Sequence, residues 1–123
     1  MSGNLYCIEL TVTDWPRAVA WYRDVFRLEL LLLAESDQFA LFRAGSTRLA
    51  LKAGVAQPGS VLLAFEVDDL AAEIERLARL GVSFDGPPKT SPEGYRRVLF
   101  RDSDGYRLSL FEWTRIADPS GPG

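Results

Sequence analysis

The first half of the chain opens with a segment in which apolar and polar positions alternate, and the next segment has helical spacing. Residues 6–12 place Ile8, Leu10 and Val12 on one face of a strand. Asp14 is a candidate N-cap, and the apolar spacing that follows predicts a helix over residues 15–26. Turn-forming residues then separate short apolar runs, which predict an antiparallel meander of three strands: Glu29–Ala34, Gln38–Arg43 and Arg48–Lys52.

After a linker over residues 54–60, the second half repeats this order. Residues 61–67 alternate, and Asp69 is a candidate cap for a second helix that Gly81 ends. Its predicted buried stripe consists of Leu70, Ile74, Leu77 and Leu80. Three further strands are predicted: Val82–Asp85, Arg96–Arg101 and Tyr106–Trp113.

Superposing Val12 on Val67 aligns the two halves at an offset of 55 residues, which indicates an internal repeat. The predicted fold class is therefore α+β, with two βαβββ modules over residues 5–53 and 61–114. We expect residues 1–114 to form one domain and residues 115–123, which lack a large apolar segment, to form a flexible tail.

Composition and charge narrow the classes of partner. The net charge of −3 disfavours nucleic acid and anionic bilayers as partners. The longest apolar run, Leu30 to Ala34, is far shorter than the roughly 20 residues that a membrane helix needs. Because the chain has a single cysteine, Cys7, and opens without a signal-like region, we expect a cytoplasmic protein without an internal disulfide.

The chain contains no histidine. Histidine is the commonest general base near neutral pH and the commonest ligand of zinc, nickel and iron in proteins. Its absence excludes Ser-His-Asp triads, Cys-His pairs and the His-rich metal sites.

Four segments resemble the vicinal oxygen chelate superfamily, which includes glyoxalase I, extradiol dioxygenases, methylmalonyl-CoA epimerase and the bleomycin and fosfomycin resistance proteins. They are Cys7–Asp14, Ala18–Phe26, Ala64–Leu70 and Leu99–Leu110. The resemblance implies two modules whose strands form a curled, mixed sheet, a cup with the helices on its outer face and the ligand inside. It also implies a homodimer.

In metal-using members of that superfamily, four inward-facing positions hold His, Glu or Gln, His and Glu. The corresponding positions here are Cys7, Ala50, Leu62 and Ser109. Aliphatic side chains have no lone pair, and a neutral hydroxyl is a weak ligand beside a carboxylate. We therefore expect no metal and no other cofactor.

Strand alternation places a mixed set of polar and apolar side chains in the cup, as suits a small organic ligand with an apolar body. The candidate ligand-binding residues are Cys7, Glu9, Arg48, Lys52, Leu62, Glu66, Tyr95, Arg107, Ser109 and Phe111. Each has a structural alternative. The charged residues would serve equally well in salt bridges across a solvated groove, and Cys7 as a small core residue.

Two functions follow from this interpretation. The first is a metal-free protein that binds or sequesters a small organic ligand, with Glu9 and Glu66 attracting a cationic one. The second is a lyase, isomerase or dioxygenase-related enzyme in which Glu9 or Glu66 acts as a general base, with Arg48, Lys52 or Arg107 stabilising an oxyanion.

Overall fold

The computed structural model describes residues 3–114 and divides their strands into two four-stranded sheets. The first module contains β1 (Ile8–Val12), α1 (Trp15–Ala20), β2 (Glu29–Ala34), β3 (Phe39–Ala44) and β4 (Thr47–Ala53). The second contains β5 (Leu62–Glu66), α2 (Leu70–Arg79), β6 (Lys89–Thr90), β7 (Tyr95–Arg101) and β8 (Arg107–Trp113). The tail predicted over residues 115–123 lies outside the described residues.

Both sheets have the same topology, with strand orders β1-β4-β3-β2 and β5-β8-β7-β6. In each sheet the first strand pairs in parallel with the last, and the remaining pairs are antiparallel. This arrangement confirms the predicted α+β class and its two βαβββ modules.

The register of the strands also preserves the repeat. In the first module Ala50 on β4 lies between Glu9 on β1 and Leu41 on β3. In the second module Ser109 lies between Ala64 and Leu99 at the equivalent positions. Equivalent residues of the two modules can therefore be compared one by one.

The first helix begins where its sequence predicts and ends in a wider turn. Asp14 caps α1 by accepting a hydrogen bond from the Arg17 amide at 3.2 Å. After Ala20 the chain continues as a π-helix over Trp21–Val25, which turns the fully buried Tyr22 toward Phe42. The Tyr22 hydroxyl donates a hydrogen bond to buried Asp102.

The second helix is capped by Asp69, whose side chain accepts from the Ala72 amide at 3.1 Å. Leu70 and Leu77 are buried as predicted, but Leu80 is 50% exposed. The prediction for Leu80 was wrong because the helix ends at Arg79, and Gly81, with a φ of +90°, redirects the chain there.

The strand predicted at Val82–Asp85 was also wrong. Phe84 makes one isolated bridge to Phe100, and the sheet gains its fourth strand, β6, only at Lys89–Thr90. Pro87 and Pro88 lie between the two segments and have no N–H to donate to a ladder. The predicted first strand also starts later, at Ile8 rather than Tyr6.

Two compact units divide the described chain close to the module boundary. The first takes residues 3–58 together with residues 102–105, and the second takes residues 59–101 and 106–114. The loop that connects β7 to β8 thus belongs to the first unit, where the Asp104 side chain accepts a hydrogen bond from the Thr13 amide at 2.9 Å. Within residues 3–114, no helix has the length and apolar character required to cross a bilayer.

Candidate functional site

The candidate site lies on the face of the second sheet opposite α2. Alternation along the strands places Leu63, Val98, Leu108 and Leu110 on the other face, where all four are buried. Register defines rows of neighbouring side chains on the site face. One row is Glu66, Phe111, Arg97 and Lys89, the next is Ala64, Ser109 and Leu99, and Trp113 pairs with Tyr95 at the end.

Some residues of these rows, together with Leu62, line a cavity of about 180 Å³ within the second unit. Its lining consists of Leu62, Ala64, Tyr95, Arg97, Ser109, Phe111 and Trp113. Pockets for drug-sized ligands usually measure about 300–1,000 Å³. This cavity is therefore large enough for a ring system and too small to enclose a whole drug-sized molecule.

Three aromatic side chains form one wall of the cavity. The ring centroids of Tyr95 and Phe111 are 5.9 Å apart, those of Tyr95 and Trp113 are 6.0 Å apart, and those of Phe111 and Trp113 are 5.4 Å apart. All three pairs meet edge to face, the arrangement that aromatic quadrupoles favour. The rings hold one another in place and present apolar surface to a ligand.

The polar groups of the cavity are mainly hydrogen-bond donors. Arg97 is half-buried, and within residues 3–114 it forms no ion pair. The indole Nε1 of Trp113 is buried and has no hydrogen-bond partner among the described residues. An unsatisfied buried donor costs about 1–3 kcal/mol.

The cavity brings together four of the ten candidate residues: Leu62, Tyr95, Ser109 and Phe111. Glu66 and Arg107 belong to the same face but are exposed and lie outside the lining. Glu66, at the end of β5, pairs in register with Phe111, and Arg107 pairs in register with Leu62.

The other four candidates belong to the first module. Cys7 precedes β1 and is half-buried, whereas Glu9 and Lys52 are exposed. Arg48 is half-buried, and its guanidinium carbon lies 4.3 Å from the centroid of the Tyr6 ring, a cation–π contact. Arg48 therefore already has a partner within its own module.

Three cavity residues were not among the ten candidates: Ala64, Arg97 and Trp113. Trp113 closes the aromatic wall, and Arg97 brings the positive charge. The strict alternation over residues 95–101, which turns Val98 and Phe100 into the core, could have placed Arg97 on the site face. That Arg97 is half-buried, whereas neighbouring Arg96 is exposed, depends on packing that alternation does not encode.

A second cavity of about 280 Å³ lies on the helix side of the same sheet. It is lined by Leu70, Ala71, Ile74, Glu75, Pro88 and Arg96. Its charged groups are exposed, and Glu75 is already paired with Arg79. Because it has no aromatic wall and no unsatisfied buried donor, the cavity opposite the helix is the stronger candidate.

The four positions that correspond to metal ligands do not fit a divalent cation. Ser109 is 2% exposed and lies beside Ala64 and Leu99, and Leu62 in the same cavity is aliphatic. In the first module, Ala50 is buried and offers no donor atom. Among residues 3–114, no group of three or more Cys, Asp or Glu side chains is arranged to hold a metal.

Comparison with known proteins places this architecture in a family. The chain is 28% identical to the protein YraH of Bacillus subtilis (strain 168) in an alignment 126 residues long. The alignment covers 89% of this chain and 98% of YraH. It is similar to TnmS3, an antibiotic binding protein from Streptomyces sp. CB03234, with a TM-score of 0.76, 27% identity and coverage of 91% and 97% of the two chains.

A third similarity, to the lactoylglutathione lyase of Agrobacterium tumefaciens, has a TM-score of 0.73 at 23% identity and covers 90% of this chain and 94% of the lyase. At that identity the likeness concerns the fold. The model of the Glyoxalase/Bleomycin resistance protein/Dioxygenase superfamily matches residues 5–110, most of the chain. The protein therefore belongs to the Glyoxalase/Bleomycin resistance protein/Dioxygenase superfamily.

Proposed function

We propose that this protein binds and sequesters a small aromatic molecule without a metal, using the cavity opposite α2. The aromatic wall of Tyr95, Phe111 and Trp113 carries this proposal, because it offers a rigid apolar surface beside a few polar groups. The likeness to TnmS3 supports the same class, since that protein is an antibiotic binding protein.

The size of the cavity supports a homodimer as the working form. A space of about 180 Å³ takes a ring system, and the rest of a larger ligand needs further protein surface. Leu62 at the rim is 38% exposed, so a second copy of the chain has apolar surface to cover. Light scattering after size exclusion tests this part, and a monomer that binds with full affinity would contradict it.

We further propose a cytoplasmic location and a part in resistance to an aromatic drug. The free thiol of Cys7 fits a reducing compartment. Sequestration lowers the free concentration of a drug without any chemical step, so a cavity without a metal suffices. Expression in a sensitive host should raise the inhibitory concentration of a bound drug.

Filling the cavity tests binding directly. Ala64 lines it and is exposed, so Ala64→Trp blocks the space without disturbing the buried face of the sheet. A ligand at 100 times its Kd stabilises a protein by about 2.7 kcal/mol, so thermal-shift screening of aromatic compounds should give hits with the parent protein and none with Ala64→Trp. Ala78→Trp, at an exposed position of α2, is the control and should retain every hit.

The alternative function is an enzyme that abstracts a proton beside a carbonyl group, with Glu66 as the base. Glu66 lies in the same row as Phe111, which keeps this candidate within reach of the cavity. Deuterium exchange of carbonyl compounds, followed by NMR, tests it. Exchange that depends on enzyme and is lost in Glu66→Gln or in Glu9→Gln would establish catalysis and displace simple sequestration.

A further inference from the structure

Arg97 gives the cavity a positive charge. Resting on the proposed function, we infer that the cavity selects an aromatic ligand that carries an anionic group, such as a carboxylate or sulfonate, over neutral and cationic analogues. Arg97 is half-buried in the lining, and Lys89 on β6 pairs with it in register, so two cations neighbour each other on this face. Because neither forms an ion pair within residues 3–114, an anionic ligand would supply the missing counter-charge.

The nearest acid in register does not neutralise this charge. Glu66 is separated from Arg97 by Phe111 and therefore lies two strands away, about 10 Å by the usual strand spacing. This distance exceeds the Debye length of about 8 Å at physiological salt, and Glu66 is exposed. The field that a ligand meets in the cavity is therefore that of Arg97.

A second feature of this wall is the indole N–H of Trp113. It is buried without a partner among the described residues, and Trp113 lines the same cavity as Arg97. Register makes them diagonal neighbours, because Arg97 pairs with Phe111 and Tyr95 with Trp113. The Trp113 ring therefore borders the space beside Arg97, where a carboxylate or sulfonate of the ligand can accept hydrogen bonds from the guanidinium and a cationic group cannot.

This inference reverses the sign of the ligand that Glu9 and Glu66 indicated in the sequence. Both carboxylates are exposed and neither lines the cavity. Exposed charges are screened by water and salt, whereas a half-buried guanidinium at an aromatic wall interacts more strongly with its ligand. Position within the fold, rather than the count of charges, therefore determines the selectivity.

Three probes with one ring system test the charge alone. They are 2-naphthoate, naphthalene-2-methanol and 2-naphthylmethylammonium, titrated by isothermal calorimetry and by NMR at neutral pH. We expect 2-naphthoate to bind about 10-fold more tightly than the alcohol, and the ammonium compound to bind most weakly, because a hydrogen bond to a charged group is stronger than a neutral one. The preference should decline as salt is added.

Neighbouring arginines provide a matched pair of variants. Arg97→Gln should remove the roughly 10-fold preference for 2-naphthoate. Arg96→Gln, with the same change of charge on the opposite face of β7, should retain it.

The outcomes separate this inference from the proposed function. If all three probes bind at the cavity with equal affinity, or the ammonium compound binds best, the charge inference fails and the binding function stands. If no probe shifts the NMR signals of the cavity residues, the binding function itself fails. If Arg96→Gln reduces the preference as much as Arg97→Gln, the effect is one of general surface charge and the inference is overturned.

Discussion

The two modules share a strand order and a register, yet only the second carries the aromatic wall. The row Glu66, Phe111 and Arg97 of the second module corresponds to Thr11, Lys52 and Phe39 of the first. The position equivalent to Trp113, one beyond the end of β4, is Gly54. One backbone pattern therefore supports an aromatic cavity in one module, whereas the equivalent row of the other holds an exposed lysine between half-buried Thr11 and Phe39.

Their arginines differ in the same way. In the first module, Arg43 forms an ion pair with Glu29 at 3.1 Å, and Arg48 lies over the Tyr6 ring. In the second, Arg97 has no ion-pair partner within residues 3–114. A repeat thus preserves the geometry while the partners of each charge decide whether that charge is available to a ligand.

The largest effect on stability is expected from removing Asp102, the hydrogen-bond partner of Tyr22 in the π-helix. Asp102 is 7% exposed and accepts hydrogen bonds from the Tyr22 hydroxyl and, at 2.8 Å, from the Asp104 amide. Asp102→Ala should lower the free energy of unfolding by about 3 kcal/mol, because it leaves a buried hydroxyl without its acceptor. Urea denaturation measures this change.

Two further variants define that effect. The exposed Asp37→Ala serves as a control and should change stability by no more than about 0.5 kcal/mol. Tyr22→Phe combined with Asp102→Ala should cost less than the sum of the two single changes, since both remove one interaction. Full additivity would show that the hydroxyl and the carboxylate contribute independently.

The next largest effect on stability is expected at Gly54, a position where the two modules differ. A Cβ at Gly54 would lie 2.5 Å from Cγ2 of Thr11, whereas a Cβ at Gly59 meets nothing within 4 Å. Gly54→Ala should therefore destabilise the protein by about 1–3 kcal/mol, as overpacking does, and Gly59→Ala should have little effect. Equal midpoints of urea unfolding for the two variants would contradict this explanation of why the first module has no counterpart of Trp113.

Exchanging one pair of equivalent residues tests whether the cavity belongs to the second module alone. Phe111→Lys gives the second module the lysine of the first, and it should weaken binding of the neutral naphthalene-2-methanol at least about 10-fold by removing a ring from the wall and desolvating a new charge. The reciprocal Lys52→Phe should leave that affinity within about twofold. Calorimetry on both variants decides, and a larger loss from Lys52→Phe would place the ligand elsewhere.

Sequence patterns were sufficient for the fold because period and caps are local properties. Asp14 and Asp69 precede two amphipathic helices, and both act as N-caps. Alternation likewise separated Leu63 and Leu110 on the buried face from Leu62 and Phe111 on the site face. These features need no knowledge of distant parts of the chain.

The site was less predictable because its chemistry depends on partners. Arg48 and Arg97 look alike in the sequence, and only packing shows that one stacks on Tyr6 while the other lines a cavity. Leu80 is exposed because α2 ends one residue before it. Sequence patterns do not locate the end of a helix to within one or two residues. Register, caps and alternation are the same in both modules and could be predicted from one for the other. The partners of the charged side chains differ between the modules and could not.

The smallest expected effect concerns a contact that holds the start of the second helix. The Leu70 amide at the start of α2 donates to Glu112 Oε1 at 2.6 Å, and a carboxylate there also interacts favourably with the helix dipole. Glu112→Ala should lower the free energy of unfolding by about 1 kcal/mol, as the loss of a cap does. Glu66→Ala, an exposed acid at the end of β5, should change it by less than about 0.5 kcal/mol, and equal losses in urea denaturation would mean that net charge rather than capping is responsible.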